Sequence, residues 1–178
     1  MKNSPLSLLV VAALLAGCAP QSELKNPAPR FRGKSYDGNH YSLFDLTKGG
    51  HVVVVFLSPD DSEAPETIGQ LRWLRQENPG LRVAALVQAE EAQLWAWCRD
   101  KEKAWEFDAT VPILSDQFGE FIRKFGAKRS REFAVVAPTT EILAEGSTVV
   151  MAEQPIMKKL GLKGLPKLAK SEPPEFKF

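Results

Sequence analysis

The stretch HVVVVFLSPDDSEAPETIGQLRWLRQENPG, residues 51–80, contains an apolar run, a short polar turn and a helical pattern. The run HVVVVFL is bounded by Gly49-Gly50 and Ser58-Pro59. It predicts a strand buried on both faces, as strands are in parallel sheets. The polar turn that follows holds three carboxylates in four positions, Asp60, Asp61 and Glu63.

Residues 62–77 predict a helix directly after this turn. Their apolar residues recur at helical spacing along one face, and the sequence Asn-Pro-Gly at residues 78–80 ends the pattern. Asp61 or Ser62 is expected to cap the N-terminus of this helix with its side-chain oxygen.

The order of the remaining elements predicts a small α/β sandwich. Asp37-Gly38 marks a turn between two short alternating runs and predicts a hairpin over residues 34–46. The order β–α–β–α–β–α–β–β–α predicts a mixed central sheet with helices on both faces and an N-terminal β-hairpin. The further strands are expected at 81–87, 110–114, 132–138 and 141–150, and the further helices at 90–107, 117–126 and 154–161.

The N-terminal sequence predicts that the protein is located in the bacterial cell envelope. Residues 1–17 combine a lysine, a short apolar run and small residues, which is typical of a signal peptide. The run is shorter than the ~20 residues that a membrane-spanning helix needs. The sequence Leu-Ala-Gly-Cys resembles the lipobox of bacterial lipoproteins and predicts lipidation of Cys18. Ala19 follows the cysteine in place of an inner-membrane retention Asp, which favours an outer-membrane anchor facing the periplasm.

The mature chain is expected to consist of a lipidated Cys18 with a tether over 18–30, one domain over 31–157, and a basic, proline-containing tail over 158–178. The full chain has 23 basic and 22 acidic residues, so loss of residues 1–17, which carry only Lys2, leaves no net charge. A nucleic-acid partner is not predicted, because the sequence shows no concentrated basic face. Five lysines in residues 158–170 are expected to be solvated, with contact to lipid headgroups or an acidic partner as the alternative.

The chain has two cysteines, Cys18 and Cys98. With Cys18 committed to lipid, the mature chain has neither an intrachain disulfide nor a dithiol. Cys98 lies in mid-helix on an apolar stripe, and buried cysteine usually behaves as an inert small hydrophobe. We therefore expect Cys98 to be a core residue, with a reactive thiol as the alternative.

Two long stretches carry a family resemblance. YSLFDLTKGGHVVVVFLSP (residues 41–59) and PILSDQFGEFIRKFGAKRSREFAVVAPTTEILAEG (residues 112–146) resemble the redoxin branch of the thioredoxin superfamily. That branch includes thiol-disulfide oxidoreductases and alkyl-hydroperoxide-reductase-type (thiol-specific antioxidant) peroxiredoxins. The resemblance implies a thioredoxin-like sandwich. In active members it also implies a thiolate at a helix N-terminus, where the macrodipole lowers the thiol pKa.

The redox residues that the resemblance implies are absent from this chain. In a Cys-x-x-Cys alignment the two cysteines fall on Asp61 and Ala64, and in a peroxiredoxin alignment the peroxidatic cysteine falls on Pro65. The cis-proline expected opposite them falls on Arg131, so a trans, altered loop is expected there. No catalytic residue and no cofactor is therefore assigned.

The same region is expected to form a contact surface for a protein partner. Arg129 is expected to pair with a carboxylate of the turn or to be a solvated charge. Three carboxylates would also suit a divalent ion, but no glycine-punctuated loop surrounds them and no metal is assigned. The expected contact residues are Asp60, Asp61, Glu63, Arg129 and Arg131.

The sequence thus predicts a degenerate, non-catalytic redoxin: a lipoprotein that binds or scaffolds a protein partner in the periplasm and is held to the membrane by lipid at Cys18. The alternative is an atypical thiol-disulfide oxidoreductase or peroxiredoxin-like antioxidant protein. That alternative would use Cys98 together with an external reductant.

Overall fold

The computed structural model of this chain describes residues 25–105, 111–165 and 172–178. The predicted signal peptide, Cys18 and the part of the basic tail at residues 166–171 lie outside the described residues. Among the described residues, no helix has both the length and the apolar character needed to cross a membrane.

The described ranges contain strands, α-helices and a six-residue 3-10 helix. The strands are β1 (Arg32–Lys34), β2 (His40–Ser42), β3 (Val52–Leu57), β4 (Arg82–Val87), β5 (Ile113–Ser115), β6 (Glu132–Val136) and β7 (Ile142–Ser147). The helices are α1 (Leu43–Thr47), α2 (Ala64–Glu77), α3 (Glu91–Trp105), α4 (Glu120–Lys124) and α5 (Pro155–Lys159), with a 3-10 helix over Thr148–Glu153.

Two sheets are formed, a β1–β2 hairpin and a five-stranded sheet in the order β5-β4-β3-β6-β7. Strand β3 is parallel to β4, and β4 is parallel to β5. Strand β6 is antiparallel to both β3 and β7. The predicted mixed sheet with an N-terminal hairpin is confirmed. Because β3 is central, its carboxyl end opens into the polar turn at the middle of the sheet edge.

Strand β3 divides the core into two apolar clusters. Val53, Val55 and Leu57 pack in one cluster with residues of α2, α3 and α5. The alternate residues of β3 pack in the other cluster with α1 and α4. Because successive side chains of a strand point to opposite faces, the valine run supplies both layers. Every residue of β3 is buried, which confirms the strand predicted to be covered on both faces.

Three local predictions are wrong. The strand expected at 141–150 ends at Ser147, and residues 148–150 belong to the 3-10 helix. Residues 43–47 form helix α1, not the end of a hairpin, because Ser42 and Asp45 make a capping box that starts a helix. Helix α2 begins at Ala64 and its N-cap, Glu63, makes no side-chain cap bond. Asp61 therefore does not cap the helix. Its Oδ1 accepts a hydrogen bond from the backbone N–H of Glu63 at 3.0 Å and closes the turn before the helix.

The N-terminal segment pairs with the edge of the sheet before residue 31. Ile142 donates its N–H to the carbonyl oxygen of Asn26 at 2.8 Å, and Ala28 donates to the carbonyl oxygen of Thr140 at 2.8 Å. The tether predicted over residues 18–30 is thus attached to the domain from residue 26 onward.

A close backbone approach at Gly50 sets the entry to β3. Gly50 has a φ of 143°, and a Cβ at this position would lie 2.6 Å from the carbonyl oxygen of Gly80. Gly50→Ala is expected to lower the free energy of unfolding by about 1–3 kcal/mol, because it adds a clash to a strained backbone. Urea unfolding followed by circular dichroism measures this loss.

Gly80→Ala is the matched control on the other side of the same contact. A Cβ at Gly80 meets nothing within 4 Å. We expect this substitution to change the free energy of unfolding by less than about 1 kcal/mol. Equal losses from the two substitutions would contradict the role assigned to Gly50.

Candidate functional site

The turn between β3 and α2 is held by its own backbone. Asp61 donates its N–H to the carbonyl oxygen of Ser58 at 3.1 Å, and Ala64 donates to the carbonyl oxygen of Asp61 at 3.1 Å. These bonds fold Asp61 inward, where the residue is 4% exposed, and leave Asp60 in solvent. Of the two adjacent aspartates, the turn thus buries Asp61 and exposes Asp60.

A buried arginine lies against this turn. Arg131 donates from Nε to Oδ2 of Asp61 at 2.9 Å and from Nη1 to Oε2 of Glu63 at 2.6 Å. The side chains of Arg131 and Asp61 are 1% and 3% exposed, whereas that of Glu63 is 23% exposed. These are charge-assisted hydrogen bonds, the stronger kind in proteins. A guanidinium so deeply buried needs them, because a buried charge without a partner is strongly destabilising.

The backbone holds Arg131 in place from both sides. Its N–H donates to the carbonyl oxygen of Phe56 at 2.7 Å, and its carbonyl oxygen accepts from the N–H of Thr148 at 2.7 Å. Next to it, Ser130 accepts on Oγ a hydrogen bond from the N–H of Ser58 at 3.1 Å. Arg131 has a φ of 61°, a backbone conformation that residues other than glycine seldom adopt. Such strain persists only where the surroundings over-determine it.

The structure brings together the positions that the family resemblance singled out. Asp61 stands in a cysteine position, Arg131 stands in the cis-proline position, and the two side chains are joined by an ion pair. Ala64 and Pro65, the other candidate cysteine positions, are buried at the start of α2. Within the described residues no peptide bond is cis, in agreement with the altered loop that was expected.

The arginine assignment from sequence needs a correction. Arg129 was expected to pair with a carboxylate of the turn or to be a solvated charge, but Arg131 supplies the cation of the turn. Of the five expected contact residues, Asp61 and Arg131 are buried and lie beneath the surface. A partner can therefore touch only Asp60, Glu63 and Arg129 of that set.

Arg129 instead pairs with the C-terminal segment. Its guanidinium contacts the carboxylate of Glu172 and, at 3.3 Å, that of Glu175. The hydrogen bond with Glu172 raises the pKa of Arg129. Sequence reasoning missed these partners, although an acidic EPPE at 172–175 complements the basic KRSR at 128–131. A cleft of about 160 Å³ separates the turn from this segment and is lined by Ser58, Pro59, Asp60, Gln88, Gln93, Pro174, Glu175 and Lys177.

The remaining candidate groups lie elsewhere or form no site. Cys98 is fully buried on α3, inside the apolar cluster that also contains Leu94 and residues of α2. Among the described residues, no group of three or more His, Cys, Asp or Glu side chains could hold a metal ion. The candidate site is therefore the turn itself, with its buried ion pair of Asp61 and Arg131 and the exposed Asp60.

A family model provides the identification. The AhpC/TSA family model matches residues 24–155, which is most of the chain. The chain belongs to the AhpC/TSA family. No match was found among curated proteins. In this AhpC/TSA chain, the ion pair of Asp61 and Arg131 lies where the resemblance places a cysteine and a cis-proline.

Solved structures with the same fold include thiol enzymes. The C-terminal domain of a putative thiol-disulfide oxidoreductase from Bacteroides thetaiotaomicron is 15% identical, with a TM-score of 0.60, and the match covers 79% of this chain and 96% of that one. A peroxidoxin from Mycobacterium tuberculosis is 19% identical, with a TM-score of 0.58 and coverage of 70% and 84%. An exposed lipoprotein thioredoxin from Streptococcus pneumoniae is 18% identical, with a TM-score of 0.56 and coverage of 67% and 89%. These similarities show the thioredoxin-like fold.

The two arginines of the loop allow a matched test of the site. Arg131→Met is expected to lower the free energy of unfolding by about 3–5 kcal/mol, because it leaves the carboxylate of Asp61 buried without its cation. Arg129→Met is the control and should cost much less, because its ion pairs are exposed and screened by solvent. Chemical denaturation of both variants measures the difference. Equal losses of unfolding free energy would show that the buried pair stabilises the protein no more than the exposed pairs do.

Proposed function

We propose that this protein is a lipid-anchored binding protein of the periplasm, built on a redoxin fold and without redox turnover of its own. The observation that supports this most is the buried ion pair of Asp61 and Arg131 in the place of a redox centre. It joins the two positions from which thiol chemistry on this fold is organised.

The chemistry of the turn does not suit thiol exchange. Reduction of a disulfide begins with attack by a thiolate on sulfur. The chain has no cysteine from Ala19 to Trp97, and the carboxylate of Asp61 is engaged by a guanidinium and by the N–H of Glu63. A carboxylate held in this way has no means of forming the mixed disulfide, so the turn serves to hold the fold and shape a surface.

The thiol of Cys98 gives little support to an oxidoreductase. Reactive cysteines lie in partly exposed, electropositive surroundings that favour the thiolate. Cys98 is 0% exposed and belongs to the main apolar cluster, which also contains Leu94 of α3 and residues of α2. Access to the sulfur would require opening of that core.

The anchor keeps the domain close to the membrane surface. Seven residues lie between the proposed lipidation site, Cys18, and Asn26, which pairs with β7. The eight Cα–Cα steps from Cys18 to Asn26 span at most about 27 Å when fully extended. The exposed lipoprotein thioredoxin of Streptococcus pneumoniae offers a precedent for a lipoprotein with this fold. We further propose the outer membrane, on the basis of Ala19.

Thiol accessibility and turnover test the proposed function. In a protein that begins at Ala19, Cys98 is the single thiol. Under native conditions it is expected to react with Ellman's reagent at least ~100-fold more slowly than in denaturant, because burial blocks access. Insulin reduction and hydrogen peroxide consumption are expected at background rates.

Cys98→Ala provides the control for both assays. The variant should match the unsubstituted protein in insulin and peroxide assays, because neither rate depends on the thiol. Rapid turnover that disappears in Cys98→Ala would overturn the proposal and favour the oxidoreductase.

A further inference from the structure

The C-terminal segment of the chain lies along the loop that precedes β6. Ser130 donates its N–H to the carbonyl oxygen of Pro174 at 2.8 Å, and Phe176 donates its N–H to the carbonyl oxygen of Lys128 at 2.9 Å. Arg129 and Glu175 form an antiparallel bridge between these two bonds. This is the hydrogen-bond pattern by which an extended peptide adds to a strand edge.

Aromatic side chains fix the register of this segment. Phe176 is 8% exposed and belongs to the apolar cluster that contains Ile122, Phe125 and Ala127. Phe178 packs against it with a ring-centroid distance of 5.9 Å, and Arg123 lies 5.3 Å from the Phe178 ring.

A glycine makes room for the second ring. A Cβ on Gly119 would lie 2.7 Å from the ring of Phe178. The surface beside α4 thus accepts the buried ring of Phe176 and the exposed ring of Phe178, and the second ring lies over a glycine that has no side chain.

Charge and main-chain contacts complete the recognition. Arg129 pairs with the carboxylates of Glu172 and Glu175, and Gln88 donates from Nε2 to the carbonyl oxygen of Lys177 at 2.7 Å. Backbone, aromatic and charged groups of the domain all meet residues 172–178, a segment of only seven residues. The same segment lines the cleft beside Asp60, so it lies at the exposed rim of the buried ion pair.

We propose that this surface, named here the tail groove and formed by Gln88, Gly119, Arg123 and residues 128–130, is a peptide-binding site occupied by the chain's own residues 172–178. Its external ligand is an extended protein segment of the same chemistry, in which proline and glutamate precede a phenylalanine. This inference rests on the proposed binding function and names the class of partner.

The contacts of the segment are suited to exchange. Phe176 is its one buried residue, and both glutamates that pair with Arg129 are more than 70% exposed. Exposed ion pairs contribute little and are screened by salt. A tethered segment nevertheless competes at an effective concentration of about 1 mM, so an external peptide binds weakly until the segment is loosened.

The test uses full-length protein and a fluorescein-labelled peptide, EPPEFKF, that copies residues 172–178. Two variants loosen the tethered segment and leave the tail groove unchanged: Phe176→Ala, and the double variant Glu172→Gln/Glu175→Gln. Fluorescence anisotropy at low salt is expected to show at least ~10-fold tighter binding of the peptide to Phe176→Ala, and about 3-fold tighter binding to the double variant, than to the unsubstituted protein. The double variant changes only exposed side chains, so it keeps the test valid if Phe176→Ala fails to fold.

Two controls separate binding in the tail groove from binding elsewhere. Phe44→Ala removes an aromatic ring that is 69% exposed on α1, outside the tail groove, and should bind the peptide as the unsubstituted protein does. Addition of Arg129→Gln to the loosened double variant should abolish most of the gain, because it removes the cation that pairs with the peptide's glutamates.

Two results would overturn this inference: no gain of binding in a folded, loosened variant, or a gain that Arg129→Gln leaves intact. Either result, together with an unreactive Cys98 and background turnover, would leave the proposed function standing. Turnover that depends on Cys98 would overturn the proposed function whatever the peptide does.

Discussion

The guanidinium of Arg131, enclosed between the carboxylates of Asp61 and Glu63, is the interaction on which this end of the molecule depends. It joins the turn after the central strand to the loop before β6. Neither charge can be buried without the other, because burial of a single charge is far more costly than burial of a matched pair. The left-handed backbone at Arg131 persists because its N–H, its carbonyl oxygen and its side chain are all fixed.

The same pair explains how a redoxin fold can remain intact without a cysteine in the turn after β3. In thiol enzymes a helix N-terminus stabilises a thiolate that must stay exposed enough to react. Here a carboxylate takes that region, turns inward and is neutralised by a buried cation. In the proposed function, partner binding falls to the rim, where Asp60 and the C-terminal segment line a cleft at the same sheet edge.

The sequence predicts the central strand and helix α2 well, because a continuous valine run and a helical apolar face are strong local signals. It also predicts the hairpin from Asp37-Gly38. The pairing of Arg131 with the turn could not be predicted, because two arginines lie two residues apart and only the left-handed backbone of Arg131 distinguishes them. The packing of the C-terminal segment depends on contacts more than forty residues apart, for which periodicity gives no signal. Helix α1 did have a signal, the capping pair of Ser42 and Asp45.

A double-mutant cycle on Asp61 and Arg131 tests the central claim most directly. The free energies of unfolding of Asp61→Asn, Arg131→Met and the double variant are compared with that of the unsubstituted protein. We predict a coupling energy of about 1.5–3 kcal/mol, with the double variant far less destabilised than the sum of the two single variants. Additive losses, equal to the sum within about 0.5 kcal/mol, would contradict the claim that the buried pair holds this site together.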